Sequence, residues 1–207
     1  MYKRQILEDG PGSVPKGFKA EWMTVKDQRL YIGGLGKEWT SQEGVYINDH
    51  PQYVKVVNAW GLVEHRPWAS VYTRMKTSAG IKPPGYMIHE SGCWSAVHRK
   101  WYFLPRRASQ ESYNDVYDEH RATNLLISAD EAFADVHTTH IGPLNKYRGF
   151  SSFKFVPGTK DSVIVALKSE ENRGKIATYI MAFSLSGQMR MKEQKVADVK
   201  FEGLEFI

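Results

Sequence analysis

Cysteine, long apolar runs and helix signals are all scarce in this chain, and each shortage excludes something. A single cysteine, Cys93, in 207 residues rules out an internal disulfide framework and a zinc site built from several thiolates. The longest apolar stretches, such as residues 163–167 and 179–183, fall far short of the ~20 residues a membrane helix needs. The charge excess is small too: 28 Lys+Arg against 23 Asp+Glu leaves +5. That bias suits an anionic small-molecule substrate and is too weak to indicate nucleic acid as a partner. What remains is 42% hydrophobic, 13% aromatic and 25% charged, an ordinary globular composition that argues against disorder.

The opening is unusual. Met1-Tyr2-Lys3-Arg4-Gln5 runs directly into Ile6-Leu7 and then the turn residues Glu8-Asp9-Gly10-Pro11-Gly12. Residues 1–5 are read as a non-native fusion scar on a truncated gene product and are set aside from fold reasoning.

Short β-rich runs then recur between turn residues. Residues 29–32 close on Gly33-Gly34, residues 53–57 are aromatic and β-branched, and residues 100–104 stop at Pro105. Residues 163–167 and 178–185 form the last clear pair. Such runs punctuated by Gly, Pro, Asn and Asp predict an all-β fold. The best helix signal covers residues 68–78, after Pro67 and before Gly80, and reads as a connector.

A faint repeat underlies the runs. Gly17-Phe18-Lys19-Ala20-Glu21-Trp22, Tyr86-Met87-Ile88-His89-Glu90 and Gly149-Phe150-Ser151-Ser152-Phe153 each precede a turn and another strand. Residues 200–207 open like a further unit, and 202–207 reads as a closing strand of a blade whose other strands would come from an upstream part missing from this chain. A period of about 60 residues with one hairpin-bearing unit per repeat predicts propeller blades. First strands of blades line a central channel, so Glu21, Glu90 and Glu202 would converge there with Ser151. Hard oxygen ligands from several sides are what Ca²⁺ requires, and carboxylates gathered without a cation would repel one another. The alternative is that each glutamate is a solvated strand-end residue.

At these residues the chain resembles a known family. Gly17–Trp22, Leu30–Trp39, Pro83–Ser91, Trp101–Glu111, Gly149–Phe155, Val165–Glu171 and Glu202–Ile207 closely resemble the soluble calcium-activated nucleotidases, or apyrases. The resemblance runs from about Gly10 to the C-terminus. It implies a five-bladed β-propeller with one Ca²⁺ in its channel, hydrolysing nucleoside di- and triphosphates, UDP and GDP favoured. This chain would then be an incomplete propeller of about three blades plus a closing strand, with residues 6–207 the C-terminal part of one domain. By position, Glu21, Glu90 and Glu202 resemble calcium-ligating glutamates and Ser151 a ligand through its carbonyl. The family also supplies a Ser-Glu pair from an upstream blade, which has no match here. The resemblance further implies the secretory pathway, although no targeting segment is legible, and a possible homodimer of the full-length protein.

The Pro105-Arg106-Arg107 corner supplies guanidinium groups, whose planar fork suits phosphate oxygens. The resemblance favours Arg106 as the phosphate and catalytic contact. Arg107 is either a second substrate contact or structural. Other features read as packing. Gly33-Gly34-Leu35-Gly36-Lys37 lacks P-loop spacing and reads as a blade turn. His137 and His140 have zinc-like spacing only on a helix and read as loop histidines. His89 lies on the strand face opposite Glu90, Cys93 is a small buried hydrophobe, and Trp22, Trp94 and Trp101 are inter-blade packing. Two other functions fit the fold class: a non-catalytic propeller that binds a ligand or protein partner, and a calcium-bearing glycosidase using paired carboxylates.

Overall fold

The computed structural model describes residues 6–207, so the scar assigned to residues 1–5 lies outside the described residues. A short ribbon of β1 (Glu8–Asp9) and β2 (Val14–Gly17) precedes three four-stranded sheets. The first holds β3 (Trp22–Lys26) and β4 (Arg29–Gly33) and then, after the small inserted hairpin β5 (Trp39–Thr40) and β6 (Tyr46–Asn48), β7 (Tyr53–Val57) and β8 (Val63–Pro67). Helix α1 (Ala69–Ser78) leads to the second sheet. Its strands are β9 (Tyr86–Ser95) and β10 (Lys100–Ser109) and, beyond the single turn α2 (Asp115–Asp118), β11 (Leu125–Asp130) and β12 (Val136–His140). The third is β13 (Arg148–Phe155), β14 (Val163–Asn172), β15 (Lys175–Ser184) and β16 (Met189–Ala197). Each sheet is an antiparallel meander in chain order, and no sheet among the described residues closes on itself.

The expectation of an all-β chain is met, and the first strands begin at Trp22, Tyr86 and Arg148, close to the repeat read from the sequence. Those first strands are also neighbours in space, β3 against β9 and β9 against β13. Tight hairpins come from residues able to take positive φ. Asp27-Gln28 joins β3 to β4 and Arg173-Gly174 joins β14 to β15, both residues of each pair lying at positive φ. That geometry gives a turn whose twist matches the strands it connects.

The core lies between sheets. Trp22, Tyr31, Trp68, Tyr72, Trp94, Trp101, Phe103 and Phe133 are part of one buried cluster between the first and second sheets. Tyr102, Leu104, Phe150, Phe153, Ile164 and Phe183 belong to another, between the second and third. Strand β10 serves both, Trp101 and Phe103 on one face and Tyr102 and Leu104 on the other. Double-sided burial explains why this stretch is continuously apolar instead of alternating. The inter-sheet packing expected of Trp22, Trp94 and Trp101 is therefore present: Trp22 meets the edge of Phe103 and Tyr31 the edge of Trp101, each at 5.3 Å between ring centroids, while the Lys26 ammonium lies 4.7 Å over the Trp94 ring. The glycine run is likewise a packing feature. A Cβ on Gly33 would lie 2.0 Å from the Trp22 ring, and Gly36, at φ 72°, sits against Tyr72.

Several expectations need correction. Pro105 does not end its strand, because β10 continues to Ser109. The register shifts on both sides of Pro105, and such a bulge tolerates a residue that cannot donate to the ladder. Helix α1 is more than a connector, since it buries Tyr72 and Met75 completely. His137 and His140 lie on strand β12, not in a loop, and their odd separation puts them on opposite faces. Residues 202–207, read as a strand whose partners lie outside this chain, pair with none of the described strands. The tail is instead held by hydroxyls: Thr178 Oγ1 donates to the Val199 carbonyl (2.6 Å), Ser151 Oγ to the Phe201 carbonyl (3.2 Å), and Ser152 Oγ accepts from Leu204 N (3.2 Å). Cys93 is only partly buried and accepts a long hydrogen bond from Thr24.

His89 is fully buried between Tyr72 and Phe103, and neither ring nitrogen has a hydrogen-bond partner among the described residues. Burial pushes its pKa down to about 3, so the ring is neutral in the fold and protonates readily only on unfolding. Between that value and the ordinary 6.5 the unfolded chain binds the extra proton, so stability falls as pH drops through this window. The effect is worth roughly 3 kcal/mol at pH 4. His89→Phe is accordingly expected to lose less stability than the parent between pH 7 and pH 4, and urea titrations at the two values measure this. Phe103→Ala should cost about 3–5 kcal/mol because it opens a cavity in the main aromatic cluster. Exposed Val97→Ala should stay within about 0.5 kcal/mol in the same titration.

Candidate functional site

One cavity of about 260 Å³ is bordered by Glu21, Trp22, Glu90, Ser152, Glu202 and Glu205. Glu21 immediately precedes β3 and is fixed there by its N–H to the Gly33 carbonyl (2.8 Å). Glu90 sits in β9, beside fully buried His89 on the opposite strand face. Glu202 comes from the tail. Ser151 is buried in β13, next to the lining residue Ser152. The structure thus brings the four predicted positions to one region, with the three carboxylates on a shared cavity.

Each carboxylate there has its own cation. The Lys19 ammonium lies 2.9 Å from Glu21 Oε1, a charge contact without an aligned hydrogen bond on an atom shut off from solvent. Arg106 Nη1 donates to Glu90 (2.6 Å), and Lys200 Nζ lies 2.8 Å from Glu202. Burial raises the Glu90 pKa; the Arg106 charge opposes that rise and the nearby Glu21 charge adds to it. Lys200 holds the Glu202 carboxyl below its ordinary value. The donor set, carboxylates on one cavity with Ser151 next to the lining residue Ser152, has the chemistry a hard cation selects. Yet among the described residues no three His, Cys, Asp or Glu side chains are gathered closely enough to hold a metal ion.

The two arginines occupy different surroundings. Arg106 is almost wholly buried and points to the third sheet, where Nη1 donates to Ser169 Oγ (2.7 Å) and Nη2 to Glu171. Gly149 makes this possible, since a Cβ there would lie 2.6 Å from Arg106 Cγ. Arg107 is equally buried, but its Nε and Nη1 have no hydrogen-bond partner among the described residues. The carboxylate of Asp118 stands 3.7 Å away, too far for a hydrogen bond, and is itself held by the Tyr86 hydroxyl at 2.6 Å. Burial lowers the Arg107 pKa and raises that of Asp118. A buried guanidinium with open donors has the chemistry to receive an anion.

Several participants escaped sequence reading. Ser169 and Glu171 alternate along β14 and so reach Arg106 from one strand face; polar residues in the middle of a strand were the available signal. Lys37, set aside as part of a blade turn, is buried under the Tyr113 ring at 4.1 Å and donates to the Glu38 carbonyl and Thr40 Oγ1, both at 2.7 Å. Burial brings its pKa down to about 8. Asp118 lies in the insertion between β10 and β11, where no spacing marks it.

Comparison with known proteins now bears on these residues. The Apyrase family profile matches residues 1–207. The chain is 55% identical over 202 residues to soluble calcium-activated nucleotidase 1 of Rattus norvegicus, covering 98% of this chain and 50% of that protein. It is 52% identical over 204 residues to apyrase apy-1 of Caenorhabditis elegans, covering 97% of this chain and 58% of that protein. Identity to an apyrase of Cimex lectularius is 43% over 208 residues, covering 57% of it. The chain therefore spans about half the length of the curated relatives it matches. With the fold all-β and the cavity acidic, the match across its whole length places this chain in the apyrase family.

Proposed function

We propose that this chain forms the C-terminal blades of a calcium-dependent nucleotidase that releases phosphate from nucleoside di- and triphosphates, UDP and GDP foremost. Hydrolysis of nucleotides is supported by the family and by its relatives' names. The single observation that carries the reading is the pairing of an acidic cavity with a buried arginine whose donors are open. A calcium ion and a phosphate are what those two features respectively take.

In this reading the three sheets are successive blades of a five-bladed propeller. Support comes from their meander topology and from first strands that adjoin. Met23 and Val25 of β3 are apolar and exposed, surface of the kind a neighbouring blade covers. Residues 6–207 are then part of a single domain, and the chain alone is incomplete as an enzyme. Glu21, Glu90, Glu202 and the Ser151 carbonyl hold Ca²⁺, which when bound supplies charge neutralisation for the phosphates. Arg107 offers Nε and Nη1 to a phosphate oxygen, and the fork geometry fixes its orientation. Arg106 keeps Glu90 ionised and in place and adds positive charge where the phosphoryl group departs. Lys37, with its lowered pKa, stands close enough to Asp118 for their charges to interact and adds a further cation to that side. Residence in the secretory pathway and a homodimeric full-length form complete the proposal.

The test joins this chain to the N-terminal half of the Rattus norvegicus relative and measures phosphate release from UDP, GDP and ATP with and without Ca²⁺. The chimera is expected to hydrolyse UDP and GDP only with calcium, and the 207-residue chain alone to be inactive. A folded chimera releasing no phosphate, or one indifferent to calcium, would refute the reading. Within the chimera, Arg107→Ala should lower kcat/KM by roughly 10- to 100-fold with little change in melting temperature. Equal loss of activity and folding would instead mark Arg107 as structural.

A further inference from the structure

The side chains around the cavity form a continuous line of alternating charge. Glu90 accepts from Arg106 Nη1 at 2.6 Å, Arg106 Nη2 donates to Glu171, the same Glu171 oxygen lies 3.3 Å from Lys200 Nζ, and Lys200 lies 2.8 Å from Glu202. The line begins and ends on the carboxylates read above as cation ligands, and its middle member, Glu171, is not one of them. Glu171 shares one oxygen, Oε2, between the two cations. An incoming divalent cation would have to take Glu202 from Lys200, and Lys200 would keep one carboxylate, Glu171, on which to settle.

We propose that Lys200 is a built-in counter-ion that competes with the metal for Glu202, and that Glu171 is the acceptor to which Lys200 withdraws when the metal binds. Both are positioning residues that set cation affinity; this inference rests on the cavity being a cation site. The charge balance follows from the same residues. Within this set of pairs four carboxylates (Glu21, Glu90, Glu171, Glu202) face three cations (Lys19, Arg106, Lys200), so without metal the set by itself carries net negative charge. A divalent cation reverses the sign. The metal must therefore precede an anionic substrate, and Lys200 sets the cation concentration at which that happens.

The pairs predict opposite effects. Removing Lys200 relieves the competition and tightens cation binding. Removing the charge of Glu171 deprives Lys200 and Arg106 of their alternative partner and drives both onto Glu202 and Glu90, which weakens it. Trp22 lines the cavity and can sensitise terbium luminescence, so Tb³⁺ binding and its displacement by Ca²⁺ are measured on the chimera described above without an activity assay. Lys200→Met is expected to tighten Ca²⁺ binding roughly three- to tenfold and Glu171→Gln to weaken it by a similar factor. Lys200→Arg, which keeps the charge, should stay within about twofold of the parent. Lys154→Met is the control for a general field effect: Lys154 lines the same cavity but pairs with Glu205 at 2.6 Å, so its loss should leave affinity unchanged. Equal tightening by Lys154→Met and Lys200→Met, or shifts of one sign in Lys200→Met and Glu171→Gln, would overturn the counter-ion role while leaving the cation site standing. No calcium-displaceable luminescence in the parent chimera would overturn the cation site itself, and the inference with it.

Discussion

Strand β10 has protein on both sides, and that constraint governs the rest of the molecule. Trp101 and Phe103 are packed toward the first sheet while Tyr102 and Leu104 are packed toward the third, so the strand has no solvent face to which a charged side chain can turn. The two residues that continue it past Pro105 are nevertheless arginines, both nearly inaccessible. A buried guanidinium is tolerated only where partners replace its water. Arg106 finds Glu90 on the neighbouring strand and Ser169 and Glu171 on the third sheet. Arg107 finds only a distant Asp118. The ion-pair network beside the acidic cavity and the unpaired Arg107 donors are both consequences of placing charge on a doubly covered strand.

The electrostatic design extends outward from there. The carboxylates bordering the cavity are not left to repel one another, because Lys19, Arg106 and Lys200 each take one. These pairs have unequal worth. Arg106 and Glu90 are largely withdrawn from water, so breaking their contact would strand a buried charge. Lys19 and Glu202 are mostly exposed, and exposed pairs contribute about 0–1 kcal/mol. Glu202 can thus change partner cheaply while Glu90 cannot. Such a site is rigid on the sheet side and adjustable on the tail side, where Glu202 follows the hydroxyl-anchored segment after β16.

Much of this was legible in the amino-acid order, and the exceptions have physical causes. Strands β7 and β4, the hairpin of β14 and β15, and helix α1 follow from β-branched runs, turn residues and Pro67. The recurring Glu21, Glu90 and Ser151 positions reflect a real repeat of first strands. Pro105 misled because a bulge excuses the missing N–H, a circumstance set by the partner strand and invisible locally. Glu171 and Lys200 were missed because their role lies in pairing between a strand and a tail that are adjacent only after folding. The tail itself lacks strand pairing despite its sequence pattern, since hydroxyls of Ser151, Ser152 and Thr178 hold it instead. Gly33 and Gly36 resembled a phosphate loop, but what fits against them is Trp22 and Tyr72.

The central claim is that Glu21, Glu90, Glu202 and the Ser151 carbonyl converge on a single hard cation beside the buried arginines. The most direct measurement is a crystal structure grown with calcium or an anomalously scattering lanthanide in its place. The account predicts one anomalous peak in the cavity, with calcium lying about 2.3–2.6 Å from those oxygens and Lys200 drawn off Glu202. A peak bound elsewhere, or a cavity in which the three glutamates keep their lysine and arginine partners at saturating metal, would contradict it.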